Sequence, residues 1–126
     1  MANPGKKILD GLHKQLGHVI NGSPQGVYLY LDDHHTVFNK HFAKMLGYSS
    51  PAAVSKLGAT GFLETLVKPA SQKTIATAYW NAVEKNIASS FSATLKKKSG
   101  AGLKVKGIIV PISYQNEMFA LHFIWK

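Results

Sequence analysis

The chain has 126 residues, enough for one domain with a real core and too few for two. A hydrophobic content of 45% and an aromatic content of 10% exclude a disordered tail, and no apolar run reaches the roughly 20 residues that span a bilayer. The absence of cysteine excludes disulfides, thiolate metal sites, thiol nucleophiles and cysteinyl adducts of flavin or other chromophores.

The formal net charge is +9, and all fifteen basic residues are lysine. Without arginine the chain lacks the bidentate fork that reads guanine and clamps phosphate, which disfavours sequence-specific nucleic-acid binding. The lysines are scattered apart from Lys96, Lys97 and Lys98 with Lys104 and Lys106 nearby. They read as a solvated basic surface, with loose polyanion contact as the lesser alternative. The amino terminus has no apolar signal-peptide core, so a cytoplasmic location with no membrane partner is the expectation.

Asn3 and Pro4 open a helix as cap and first residue. Ile8, Leu9, Leu12, Leu16, Val19 and Ile20 then place one apolar stripe on it up to Asn21-Gly22. Gly11 and Gly17 each cost that helix about 1 kcal/mol relative to alanine, so it has to dock on something. Ser23 to Gly26 break the chain before a strand over Val27 to Leu31. Asp32-Asp33-His34-His35 form a polar turn, and Thr36-Val37-Phe38 return as a second strand.

Asn39 caps a helix carrying Phe42, Met45 and Leu46, closed by Gly47. Ser50 and Pro51 start another, with Val54 and Leu57 inward, and Phe62, Leu63, Leu66 and Val67 add a helical turn or two before Pro69. The longest helix runs from about Ser71 to Asn86, with Ile75, Tyr79, Ala82 and Val83 inward and Trp80 on the flank. Three strands close the chain: Ser90 to Lys96, Leu103 to Ile112 and Met118 to Trp125, joined by turns at 97–102 and 113–117.

This order and its punctuation resemble a PAS domain over roughly Ser23 to Trp125. Gly26 to Asp32 is similar to the family's first strand and acidic turn. Asn39, Phe42, Leu46, Gly47 and Tyr48 match its Asn-x-x-Phe-x-x-x-Leu-Gly-Tyr helix. Leu66-Val67-Lys68-Pro69 resembles the Leu-Val-His-Pro entry to the long helix, and Lys98-Ser99-Gly100, Val105 and Pro111-Ile112 resemble the late strands. The chain departs from the pattern at Lys68, at Ala70-Ser71 and at Asn116-Glu117.

The resemblance implies an α+β fold: a five-stranded antiparallel sheet in the order 2-1-5-4-3 with central helices on one face enclosing a small cavity. Residues 1–22 would be an amphipathic cap or dimerisation helix and residues 23–126 the PAS domain. It further implies a sensory or regulatory role through a ligand, a dimer or a partner protein. The chain would be either a free-standing module acting in trans or a fragment of something longer.

Cofactor and site follow by subtraction. The best-known haem-binding members of the family take their axial histidine from the long helix, and 71–86 holds none. His34, His35 and His41 near Asp32 and Asp33 read as a solvated turn before they read as a metal site. His13 and His18 lie exposed on the first helix. His122 interrupts an apolar strand, as a buried histidine bonded to backbone or as a polar anchor facing a cavity. The six acidic residues form no pair placed for acid–base work, nothing marks a nucleophile elbow, and an enzyme is not expected.

The lysines at 104 and 106 must face water, which turns Val105, Gly107 and Ile109 toward the helices. The expected lining for a small apolar or aromatic ligand is Val27, Leu29, Phe38, Phe42, Leu46, Phe62, Leu66, Ile75, Tyr79, Phe91, Ala93, Val105, Gly107, Ile109 and His122. The same residues could instead only fill the core of a ligand-free interaction module. Ile108, Val110 and Ile112 face outward and need cover, with Leu9, Leu12 and Leu16 as the obvious partners, from the same chain or across a homodimer.

Overall fold

The computed structural model describes residues 4–32, 35–58 and 61–126, without the side chains of residues 4, 5, 56–58 and 62. Asn3, Asp33 and His34, and the side chains of Leu57 and Phe62, therefore lie outside the described residues.

The expected first helix is two segments, α1 (Pro4–Gln15) and α2 (Gly17–Gly22). Helical hydrogen bonding carries on across the junction, from Leu16 N to Leu12 O and from Ile20 N to Leu16 O, both at 2.9 Å. Then come β1 (Gly26–Asp32), β2 (His35–Phe38), α3 (Lys40–Met45), α4 (Pro51–Gly58) and α5 (Phe62–Leu66). The long helix α6 (Pro69–Lys85) starts two residues earlier than the sequence suggests, because Pro69 takes the first helical position, where its missing N–H is no loss. The chain closes with β3 (Ser89–Lys96), β4 (Gly102–Tyr114) and β5 (Glu117–Trp125).

The strands form one antiparallel sheet in the order β2-β1-β5-β4-β3. Between β4 and β5 the turn tightens to Gln115-Asn116, both at positive φ (52° and 64°), with Tyr114 paired to Glu117. That is the backbone a two-residue hairpin demands, and asparagine tolerates it well.

Asn39 does more than cap α3. Its buried Oδ1 accepts from Phe42 N (2.8 Å) and Val27 N (3.0 Å), while its Nδ2 donates to Ile20 O (2.8 Å) and Gln25 O (3.0 Å). One amide thus ties the end of α2, the start of β1 and the start of α3 together, with every side-chain hydrogen bond accounted for.

The sheet has two buried faces. On the inner face Tyr28, Phe38, Phe91, Ala93, Leu95, Val105, Ile109, Ala120 and Ile124 pack with Phe42, Leu46, Val54, Leu66, Ile75 and Ala82 of the helices. On the outer face Val27, Leu29, Phe119 and Leu121 pack under Leu9, Leu12 and Ile20. The first helix therefore docks on its own sheet. Gly11 lets it come close, since a Cβ there would stand 2.9 Å from the Tyr114 hydroxyl.

The open edge of β3 is held at one end by the segment leading into α6. Lys68 N donates to Thr94 O (3.0 Å), the Ser71 hydroxyl accepts from Thr94 N (2.9 Å), and Val67 bridges to Leu95. Among the described residues, no helix is long and apolar enough to cross a membrane.

Candidate functional site

Between α6 and the inner face of β1 and β5 lies a cavity of about 200 Å3 lined by Tyr28, Tyr30, Leu63, Ile75, Ala76, Tyr79, Trp80 and His122. Strand alternation brings Tyr28 and Tyr30 to one face, and the β1–β5 register sets Tyr28 directly opposite His122. Ile75, Ala76, Tyr79 and Trp80 come from successive turns of α6.

The rings are ordered against one another. His122 stacks on Tyr28 with centroids 3.8 Å apart and planes 15° apart. Tyr79 meets Tyr30 edge-on at 5.4 Å and 82°, and Trp80 meets Tyr79 at 5.4 Å and 74°. Trp80, 54% exposed, carries this aromatic lining out to solvent.

Burial pushes His122 down to about 3, against backbone hydrogen bonds to Ala120 and Tyr28 that pull the other way. The ring is neutral at physiological pH, and its Nδ1, 3.2 Å from the Ala120 carbonyl oxygen, carries the proton that this contact needs. Burial, and then the neighbouring Tyr30, hold the Tyr28 hydroxyl well above the ordinary tyrosine value. The site therefore contains π faces, tyrosine hydroxyls and a neutral imidazole, and among the described residues its lining includes no lysine or carboxylate.

Of the expected lining, Ile75, Tyr79 and His122 border this cavity. Phe38, Phe42, Leu46, Leu66, Phe91, Ala93, Val105 and Ile109 share the inner face but are packed into the core. Val27 and Leu29 are corrected to the other side of the sheet, beneath α1. Gly107 is corrected too: a Cβ there would lie 2.5 Å from Phe91 Cζ, so the glycine makes room for a ring of the core and not for a ligand.

Tyr28, Tyr30, Leu63, Ala76 and Trp80 were not among the expected lining residues. His122 carried the signal that could have found the two tyrosines, because a histidine turned inward from β5 pairs with the β1 position that is turned inward too.

Leu9 and Leu12, expected at an interface, are buried within the chain, and Leu16 and Ile112 pack beside them. Ile108 and Val110 remain half-buried on the outer face. His35 bonds Asp32 through Nδ1 at 2.7 Å. Among the described residues, no three of His, Asp and Glu gather as metal ligands would.

No family model matches the chain, and no curated protein matches its sequence. Solved structures do match its architecture. A PAS domain from a two-component sensor histidine kinase superposes with a TM-score of 0.65 at 16% identity, over 92% of this chain and 97% of that one. The PAS domain of a protein from Colwellia psychrerythraea gives 0.65 at 18% identity, over 91% and 96%. The chain has a PAS fold.

The PAS domain of the fruit-fly ELK potassium channel matches as well, with a TM-score of 0.62 at 17% identity over 94% of this chain and 95% of that one. Within the PAS fold, the cavity lies on the helix-covered face of the sheet and α1 on the opposite one. Two of the residues at which the sequence departs from the PAS pattern, Lys68 and Ser71, serve the far edge of the sheet. Lys68 Nζ donates to the Gly100 carbonyl at 2.6 Å, and Ser71 accepts from Thr94.

Proposed function

We propose that this chain is a sensory or regulatory PAS module whose α6–sheet cavity takes a small, uncharged, planar aromatic ligand. The carrying observation is the lining itself: four aromatic rings and a neutral histidine around about 200 Å3, with no charged side chain among the described residues. Among the described lining residues an anionic ligand would find no cation, and a cationic one no carboxylate. Ring faces and edges favour flat partners through stacked and edge-on contacts. The volume lies below the 300–1,000 Å3 range of drug-sized sites and suits a molecule of one or two rings.

On this reading the domain senses without catalysing, and α1 with the outer sheet face passes the change to a partner protein. The homodimer expected through Leu9 and Leu12 loses support, because both leucines are already spent within the chain.

Native mass spectrometry of the purified protein tests the reading, paired with binding of indole and phenol followed by Trp80 fluorescence. A retained or saturably bound aromatic is expected. In the Ala76→Phe variant, which fills the cavity from α6, binding should fall at least tenfold while the melting temperature holds within a few degrees. Bare chain mass with no saturable binding, or equal binding by the filled variant, would overturn it.

A further inference from the structure

The outer sheet face is divided between two environments. Over β1, β2, the end of β4 and the first half of β5 it is apolar and lies under α1. Over β3 and the first half of β4 it is open and basic: Ser90, Ser92, Lys104 and Lys106 are exposed, as is Lys126 just past β5. The register aligns these groups, with Ser92 opposite Lys106, Lys106 opposite Trp125, and Thr94 opposite Lys104.

A shallow groove of about 420 Å3 runs here, its polar lining made of Ser71, Ser92, Thr94, Lys104, Lys106 and Lys126. No aspartate or glutamate occurs between Lys85 and Asn116, so β3, its hairpin and β4 carry no carboxylate of their own. Among the described residues, none of the three lysines pairs with a carboxylate elsewhere.

We propose that this groove binds a single-stranded polynucleotide. The three ammonium groups and three hydroxyls hold the phosphates, and the half-buried Trp125, opposite Lys106 at the end of β5, offers its ring to an unstacked base. A positively charged track beside aromatic rings is how single strands are held without sequence preference. The absence of arginine fits that tolerance, since lysine binds phosphate as a point charge and lacks the guanine-reading fork.

Charge also decides between occupants. A second copy docked across a two-fold axis would set this basic face against itself. A bilayer would need protruding apolar side chains among the lysines. Among the described residues, the exposed large hydrophobics, Val19, Trp80 and Ile87, all lie outside the sheet.

Anisotropy of a labelled oligothymidylate, titrated with the full chain across salt, tests this. Three phosphate contacts on a single strand predict binding that weakens about 20-fold between 50 and 200 mM salt. Replacing Lys104, Lys106 and Lys126 together with glutamine should weaken binding at least tenfold at 50 mM and flatten the salt dependence. The same replacement of the exposed Lys7, Lys14 and Lys73 removes equal charge and should change affinity by less than twofold. Trp125→Leu should cost about tenfold at every salt concentration, and Trp125→Phe much less.

Circular dichroism confirms that each variant is folded. Equal losses from the two triple variants would overturn the proposal. So would no binding at 50 mM, binding to phosphatidylserine vesicles that oligothymidylate does not displace, or a dimer in light scattering that the groove variants abolish.

Discussion

His122 and Asn39 are the two buried polar side chains of the described core, and they solve the same problem differently. Asn39 meets four backbone groups and leaves nothing unpaired. His122 meets burial by giving up its charge. Its folded value near 3 lies below the ordinary 6.5, so the unfolded chain takes up the proton first as pH falls. Stability is complete above about pH 6.5 and declines below it toward pH 3. Between pH 6.5 and pH 5 this one group costs about 2 kcal/mol. Denaturant melts at both pH values should show that loss in the natural chain and a clearly smaller one in His122→Phe, which keeps a ring on Tyr28 and cannot titrate.

At the scale of elements, the sequence shows where strands and helices lie better than it shows which way they face. The caps Asn39 and Ser50, Pro51 and Pro69 at helix starts and Gly47 past a helix end are local chemistry, legible without tertiary context. Facing is not local. Lys104 and Lys106 orient β4 because they must reach water, and the structure agrees, with Val105 and Ile109 buried on the helix side. In β1 the first four residues are all buried, Val27 and Leu29 under α1 and Tyr28 toward the helices, so alternation carries no label for inside and outside. That is why Val27 and Leu29 were expected in the cavity and the tyrosines were not. The same holds for β5, where Phe119 and Leu121 on one side and Ala120 and Ile124 on the other are equally apolar.

The docking of α1 has a measurable consequence. Leu12, 3% exposed, packs in the outer-face cluster, and Leu12→Ala should cost about 2–5 kcal/mol. Because that contact is made within one chain, the loss in thermal or urea melts should not depend on protein concentration. A concentration-dependent midpoint would instead place the helix on another copy.

For the molecule as a whole, +9 on 126 residues is a self-repelling surface, and the lysine-rich stretch from Lys96 to Lys106 concentrates it at one side of the sheet. Screening should relieve that repulsion. Raising sodium chloride from about 20 to 300 mM should lift the melting temperature by a few degrees, and an unchanged or falling midpoint would show that attractive ion pairs outweigh the repulsion. The linear sequence shows Lys96 to Lys106 close together, but not that Lys126 joins them, because that depends on the end of β5 lying beside β4.

The strand order also governs when the domain can exist at all. β5, last of the five strands to be made, lies between β1 and β4, and its pairing with β1 joins Gly26 to Ile124 and Tyr30 to Ala120. The β1–β2 and β3–β4 hairpins can form from local contacts while the chain is still emerging, but the sheet stays in two halves until β5 arrives. Closing so long a loop is entropically costly and kinetically slow. Both walls of the cavity's sheet side, Tyr28 on one strand and His122 on the other, therefore meet only at that last step, and a nascent chain short of β5 has no site to fill.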